Sequence, residues 1–242
     1  MRLSLWSHPR SRSTALERYF NNRGDVLTYH EVLADYYYIH RRAEPIAHAK
    51  IEGDRGRTYQ QAARLLLQPA DLPVVHKDFP YHAIEELCAD PRWLGEHHVF
   101  LVREPRETIY SNFKLRAQVT AKNLGYADLW RWYRHLDQAG AHLMVLEAGR
   151  LNADPAEAIG ALCRFAGLSF DPRHLSWSAD MNADWAKWAG WHVDVAHSRG
   201  FGRAASVPPD WTVPAELEAV YAEACEIYAE LRAAAIDKAA AR

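Results

Sequence analysis

The stretch Leu3-Ser4-Leu5-Trp6-Ser7-His8-Pro9-Arg10-Ser11-Arg12-Ser13-Thr14 decides the fold. Leu3, Leu5 and Trp6 make a short apolar strand, and the polar run behind it turns the chain. From Ser13 onward Ala15, Leu16, Tyr19 and Phe20 recur at helical spacing, with Ser13 or Thr14 suited to the N-cap. The first turn of such a helix offers N–H groups and the positive end of its dipole to an anion. Arg10, Arg12 and the hydroxyls of Ser11, Ser13 and Thr14 add charge and donors at the same place. The same residues also fit a capped surface helix with two solvated arginines. A nucleoside triphosphate loop carries two glycines and ends Lys-Ser or Lys-Thr. This loop has neither glycine nor lysine, which weighs against a kinase or NTPase.

A second segment repeats the pattern. Val99-Phe100-Leu101-Val102 reads as a buried strand, and Pro105 suits the first position of a helix continued by Ile109, Phe113 and Leu115. Arg103 falls at the carboxyl end of that strand, where open α/β sheets bind ligands. Ser111 follows Arg103 by eight positions, two turns into the helix, within reach of the same phosphate. The alternative is an arginine paired to Glu104 or Glu107. Taken together, two phosphate-binding turns point to a nucleotide phosphorylated at two places on its ribose.

These residues carry a resemblance. The chain resembles the sulfotransferases that use 3′-phosphoadenosine 5′-phosphosulfate (PAPS). In that family a Pro-Arg/Lys-Ser-Gly-Thr-type loop binds the 5′-phosphosulfate, as Pro9-Arg10-Ser11-Arg12-Ser13-Thr14 would here. An Arg with a Ser eight residues on binds the 3′-phosphate, matching Arg103 and Ser111, and a basic Gly-containing loop over that phosphate resembles Ser198-Arg199-Gly200-Phe201-Gly202-Arg203. The resemblance spans about residues 1–203 in the family's order. It implies PAPS as donor, 3′,5′-bisphosphate (PAP) as product, no metal and a hydroxyl acceptor on a small molecule. Arg12 departs from it, standing where the family usually has glycine.

Sulfuryl transfer needs charge neutralisation at the leaving phosphate and a base for the acceptor hydroxyl. Glu31 ends the second apparent strand, Val26–His30, and matches the catalytic glutamate of carbohydrate-type bacterial members; its alternative is a solvated acid opening a loop. Val74-Val75-His76-Lys77-Asp78-Phe79-Pro80 breaks the Lys-Thr-His-x-Pro pattern of eukaryotic cytosolic members in either alignment. The reading takes Glu31 as base and Lys77 as electrostatic partner, with Asp78 or His76 orienting one of them and Asp78, His76 and His82 as alternative bases. A catalytically silent PAPS/PAP-binding module is the second reading, and a P-loop kinase the third.

A length of 242 residues with 49% hydrophobic content fits one α/β domain, the alternation of strands and helices implies a central parallel sheet, and the resemblance implies three layers of the P-loop nucleotide-binding type. Strands are expected near 3–7, 26–30, 73–77, 98–103 and 142–147. Helices are expected near 13–22, 56–68, 82–89, 105–116, 124–139, 155–166 and 214–236. The tryptophan-rich stretch 169–212 reads as a lid or loop. Net charge −2 gives no reason to expect nucleic acid as partner. Three cysteines without pairing or metal-ligand spacing suit a reducing compartment. With no signal peptide and no apolar run long enough to cross a bilayer, a cytoplasmic enzyme without membrane attachment is expected. Dimerisation through the C-terminal helix is compatible with the sequence but not decided by it. Tyr29, Tyr36, Tyr37, Tyr38, His40, Arg41 and Arg42 either line the acceptor site or pack an aromatic helix face.

Overall fold

Alternation along the central strands gives the sheet two apolar faces. The computed structural model describes residues 1–45, 53–114, 119–179, 183–191, 196–202 and 207–240. Its sheet has five parallel strands: β1 (Arg2–Ser7), β2 (Leu27–His30), β3 (Val74–Asp78), β4 (His97–Val102) and β5 (His142–Glu147), in the order β2-β3-β1-β4-β5. Helices are α1 (Ser13–Asn21), α2 (Tyr59–Leu67), α3 (Ile84–Ala89), α4 (Pro105–Phe113), α5 (Tyr126–Gln138), α6 (Ala148–Ala153), α7 (Pro155–Phe165) and α8 (Glu218–Ala240).

Leu3, Leu5, Val75, Val99 and Leu101 share one face with α1 and α7. Trp6, Phe100 and Val102 occupy the other with α2, α3, α5 and α8. The chain moves toward one edge from β1 to β2 and toward the other in every later step. α1 accordingly lies on the opposite face from α2, α3 and α5, as crossovers of one hand require. The direction reverses around β1, which puts the carboxyl ends of β1, β3 and β4 at the switch point where open α/β sheets bind ligands. The parallel three-layer architecture implied by the sequence is present.

Several element bounds differ from expectation. The helix expected at 124–139 is interrupted by Gly125, whose φ of +76° is left-handed, between a short turn Ala121–Leu124 and α5. α4 ends at Phe113, and residues 115–118 of the expected 105–116 lie outside the described ones. α2 starts later than position 56, because Thr58 and Gln61 form a capping box. Gly56 before it could not be another residue: a Cβ would lie 2.6 Å from the Asp35 carbonyl oxygen. The aromatic run is a π-helical turn, Asp35–His40, with Tyr37 and Tyr38 buried. Trp177, Trp185 and Trp188 of the irregular stretch are packed inside.

The Trp6 face also holds a buried polar row. The indole of Trp6 donates to His98 Nδ1 at 2.9 Å and meets Trp93 and Trp132 edge-on. Ser4 donates to Glu96 (2.7 Å), so the 2.8 Å contact from His76 Nε2 to the Ser4 oxygen makes His76 the donor. Burial holds His76 and His98 down to about 3. Burial also pushes the Glu96 carboxyl up to about 7, against the Ser4 hydroxyl and Arg2. The folded chain therefore keeps a proton that an unfolded glutamate releases, and stability is withdrawn as pH rises through that window. Glu96→Gln should gain on wild type between about pH 5 and about pH 8, by up to about 3 kcal/mol. Thermal melts across that range check it; a difference in Tm independent of pH would refute the buried proton.

Candidate functional site

The turn after β1 is built from backbone that glycine would favour. Arg10 and Arg12 have φ of +64° and +72°, flanking Ser11, whose N–H donates to the His8 carbonyl (3.3 Å). Arg12 occupies the N-cap of α1 without a side-chain cap, so neither Ser13 nor Thr14 takes that place. The left-handed φ explains why related loops use glycine at this point. The Arg12 side chain turns aside to the Gly202 carbonyl (3.1 Å). Ser7 and Ser11 bury hydroxyl oxygens that have no hydrogen-bond partner among the described residues. Buried hydroxyls without partners at an anion-binding helix start are what a phosphate oxygen would satisfy.

The second motif closes against the first. Arg103 is buried at the end of β4, and its guanidinium donates to the Arg10 carbonyl (2.9 Å) and to Glu107 (2.8 Å). Arg10 Nε donates to Ser111 Oγ at 3.0 Å and its Nη1 to the Trp191 carbonyl at 3.3 Å. Burial and the charge of Arg103 lower Arg12 to about 10. Arg10, Arg12, Arg103 and Ser111 thus share one site, although the Glu107 pairing expected as the alternative for Arg103 is made as well. Gly200 sits tightly beside the Leu175 carbonyl and bridges to Ser176. Arg199 is exposed, and Arg203 lies outside the described residues.

Two residues missed by sequence reasoning join the motifs. His8 Nε2 accepts from the Arg103 N–H (3.1 Å), which leaves Nδ1–H to donate to the Pro9 carbonyl (3.1 Å). Burial keeps this imidazole neutral, down to about 3. Tyr126, buried and held well above its ordinary value, donates to the Arg103 carbonyl (2.5 Å) and stacks against His8 with 4.2 Å between centroids. The nearby Gly125 was the available signal: a Cβ there would lie 3.2 Å from Pro9.

On the other side of β1 the carboxyl ends of β2 and β3 bring Glu31 and Lys77 together. Register sets Asp78 opposite Trp6 and His30 opposite Lys77. Glu31 has φ +41°, donates its N–H to the Lys77 carbonyl (2.8 Å), and accepts from Lys77 Nζ through Oε1. Lys77 is fully buried, over the Phe79 ring. Asp78 accepts from the backbone N–H groups of Leu33 (2.7 Å) and Phe79 (2.9 Å) and pairs with His82 (2.6 Å), all inside the protein. It therefore holds the turn that presents Glu31. His76 does not join this group: period-two alternation points it to the opposite face of the sheet from Lys77, onto Ser4 and against Trp6. No group of three metal-ligating side chains forms among the described residues.

A sulfotransferase-domain family model matches residues 1–235. The sulfotransferase domain of a Synechococcus olefin synthase superposes with TM-score 0.60 at 17% identity, covering 95% of this chain and 94% of that one. The sulfotransferase domain from the curacin biosynthetic pathway gives TM-score 0.52 at 16% identity, over 76% and 81% of the two chains. A branched-chain-amino-acid aminotransferase-like protein of Arabidopsis thaliana is 26% identical over 85% of this chain, which spans only 37% of that relative's length.

The clamp on Arg103 is expected to bear on stability. Tyr126→Phe should cost about 1–2 kcal/mol, the value of a buried hydrogen bond, and lower Tm by about 2–8 °C. An unchanged melt would show that the Arg103 carbonyl does not need this donor.

Proposed function

The chain belongs to the sulfotransferase-domain family, and we propose that it moves a sulfuryl group from PAPS to a hydroxyl of a small-molecule acceptor by in-line transfer. The observation that carries this reading is the junction of the two phosphate motifs, where Arg10 touches Ser111 and Arg103 holds the Arg10 carbonyl. One site is thereby suited to a nucleotide with two separated phosphates. Arg10, Ser11, Ser13, Thr14 and the start of α1 would hold the 5′-phosphosulfate. Arg103 and Ser111 would hold the 3′-phosphate, with Arg199 and Gly200 closing over it, while Arg12 belongs to the 5′-phosphosulfate loop with its side chain turned aside to the Gly202 carbonyl.

PAPS supplies an activated sulfuryl group, whose transfer to the acceptor oxygen releases PAP and a proton. Glu31 accepts that proton as general base. Lys77 neutralises charge growing toward the leaving phosphate, and its pairing with Glu31 keeps both groups in place until the acceptor arrives. Asp78 serves as a backbone support for Glu31, and His76 has no part in transfer. No described helix is long and apolar enough to cross a membrane.

Calorimetric titration with PAP, with ATP as control, tests the cofactor class. PAP should bind more tightly than ATP, and Arg103→Ala should weaken it about tenfold to a hundredfold, the loss of a charge-assisted contact. Preference for magnesium-ATP would sink the reading. Arg12→Gly should leave PAP affinity within about tenfold, because the Arg12 side chain turns aside to the Gly202 carbonyl and glycine accepts the left-handed backbone; complete loss would make Arg12 a principal ligand. Glu31→Gln should slow conversion of PAPS to PAP by about a hundredfold or more. A wild type that binds PAP yet converts no PAPS would favour a silent binding module.

A further inference from the structure

Behind Glu31 a line of buried ionisable groups runs into α1. Glu17, one turn beyond the phosphate loop, is buried, and its Oε2 lies 2.7 Å from His30 Nδ1. The His30 side chain is 1% exposed, with a carboxylate beside each of its ring nitrogens. Its other nitrogen, Nε2, lies 3.8 Å from Glu31 Oε1. That oxygen is the one Lys77 also engages, so two groups of opposite origin, β2 and β3, converge on a single carboxylate oxygen. The groups facing His30 are Glu17 from α1, Glu31 beside it, Lys77 from β3 through Glu31, and the Trp185 ring at 6.1 Å with the Arg18 guanidinium over it.

A buried carboxylate–imidazole pair is a poor device for stability, since desolvation consumes most of its attraction. Apolar residues between α1 and β2 would serve the core as well. What the pair does supply is orientation: a ring gripped at Nδ1 has its Nε2 fixed in direction. We propose that Glu17 and His30 are positioning residues for Glu31, with Glu17 gripping Nδ1 and His30 setting Nε2 against the Glu31 carboxylate. This rests on the reading of Glu31 as the base. Because Glu17 rides on the helix that begins at the phosphate loop, the dyad ties the base to the same helix that would hold the donor.

The test is conversion of PAPS to PAP with 2-phenylethanol, whose un-ionised hydroxyl needs a base, as acceptor probe, alongside the calorimetric Kd for PAP. The variants are Glu17→Gln, His30→Asn, Glu31→Gln and the double variant Glu17→Gln/Glu31→Gln. The His30→Asn amide replaces Nδ1–H toward Glu17 while removing Nε2, so it preserves the buried contact and isolates the functional half of the ring. Both single changes behind Glu31 should lower kcat about tenfold, with KM for PAPS and Kd for PAP within about twofold. The loss should vanish in the Glu31→Gln background, since a residue acting through Glu31 has nothing left to position. An unchanged kcat, or a loss as large in the double variant, overturns the proposal and leaves the sulfotransferase reading standing. A wild type that binds PAP without converting PAPS removes the positioning role and the turnover reading together. One that binds no PAP defeats the cofactor reading as well.

Discussion

The peptide of Arg103 is the point on which the site depends. Its N–H goes to His8 and its carbonyl takes the Tyr126 hydroxyl, while its guanidinium returns to the Arg10 carbonyl. Each bond crosses from one phosphate motif, or from α5, to another. Separately, the two turns would be ordinary loops at the ends of neighbouring strands. Held by one buried peptide, they become two walls of the proposed anion site, and their spacing follows from the register of β1 and β4. Burying a peptide there is tolerable because both its polar groups are paired inside the protein.

The opposite half of the site is organised by a different constraint. Glu31 adopts a left-handed backbone that an ordinary side chain resists, and the turn is held by the Lys77 carbonyl before it and the Asp78 carboxylate after it. Lys77 and Asp78 are adjacent in β3 and so face opposite ways, one toward the Glu31 carboxylate and one toward the chain beyond it. A single strand end thereby supplies both the charge partner and the scaffold of the proposed base.

Apolar runs such as Val99–Val102 and Leu3–Trp6 carried enough information to read the sheet, since a short apolar run closed by polar turns suits a strand covered on both faces. That Arg103 and Ser111 both lie against the first turn was legible because their eight-residue spacing spans two helical turns and survives any small shift of element bounds. His76 was misplaced for a simple reason: in a strand buried on both faces, composition does not reveal which face each residue takes. Tyr126 and Glu17 reach their partners through long-range packing, of α5 onto the loop and of α1 beside β2; Gly125 was the one local hint for Tyr126, and nothing local marks Glu17. Arg12 shows the reverse case, a residue type at odds with its backbone that only the observed φ accounts for.

The arginines of the first turn and helix have one more property. Arg10, Arg12, Arg18 and Arg23 reach the carbonyls of Trp191, Gly202, Ser178 and Ser169, all in the irregular tryptophan-rich stretch. Carbonyl oxygens are common to every residue. The attachment of this stretch is therefore indifferent to much of its own sequence, and substitutions there can accumulate without detaching it from the first turn and the residues that follow it. On the proposed function, such an anchorage lets the surface offered to acceptors change while the residues proposed to hold the donor stay as they are.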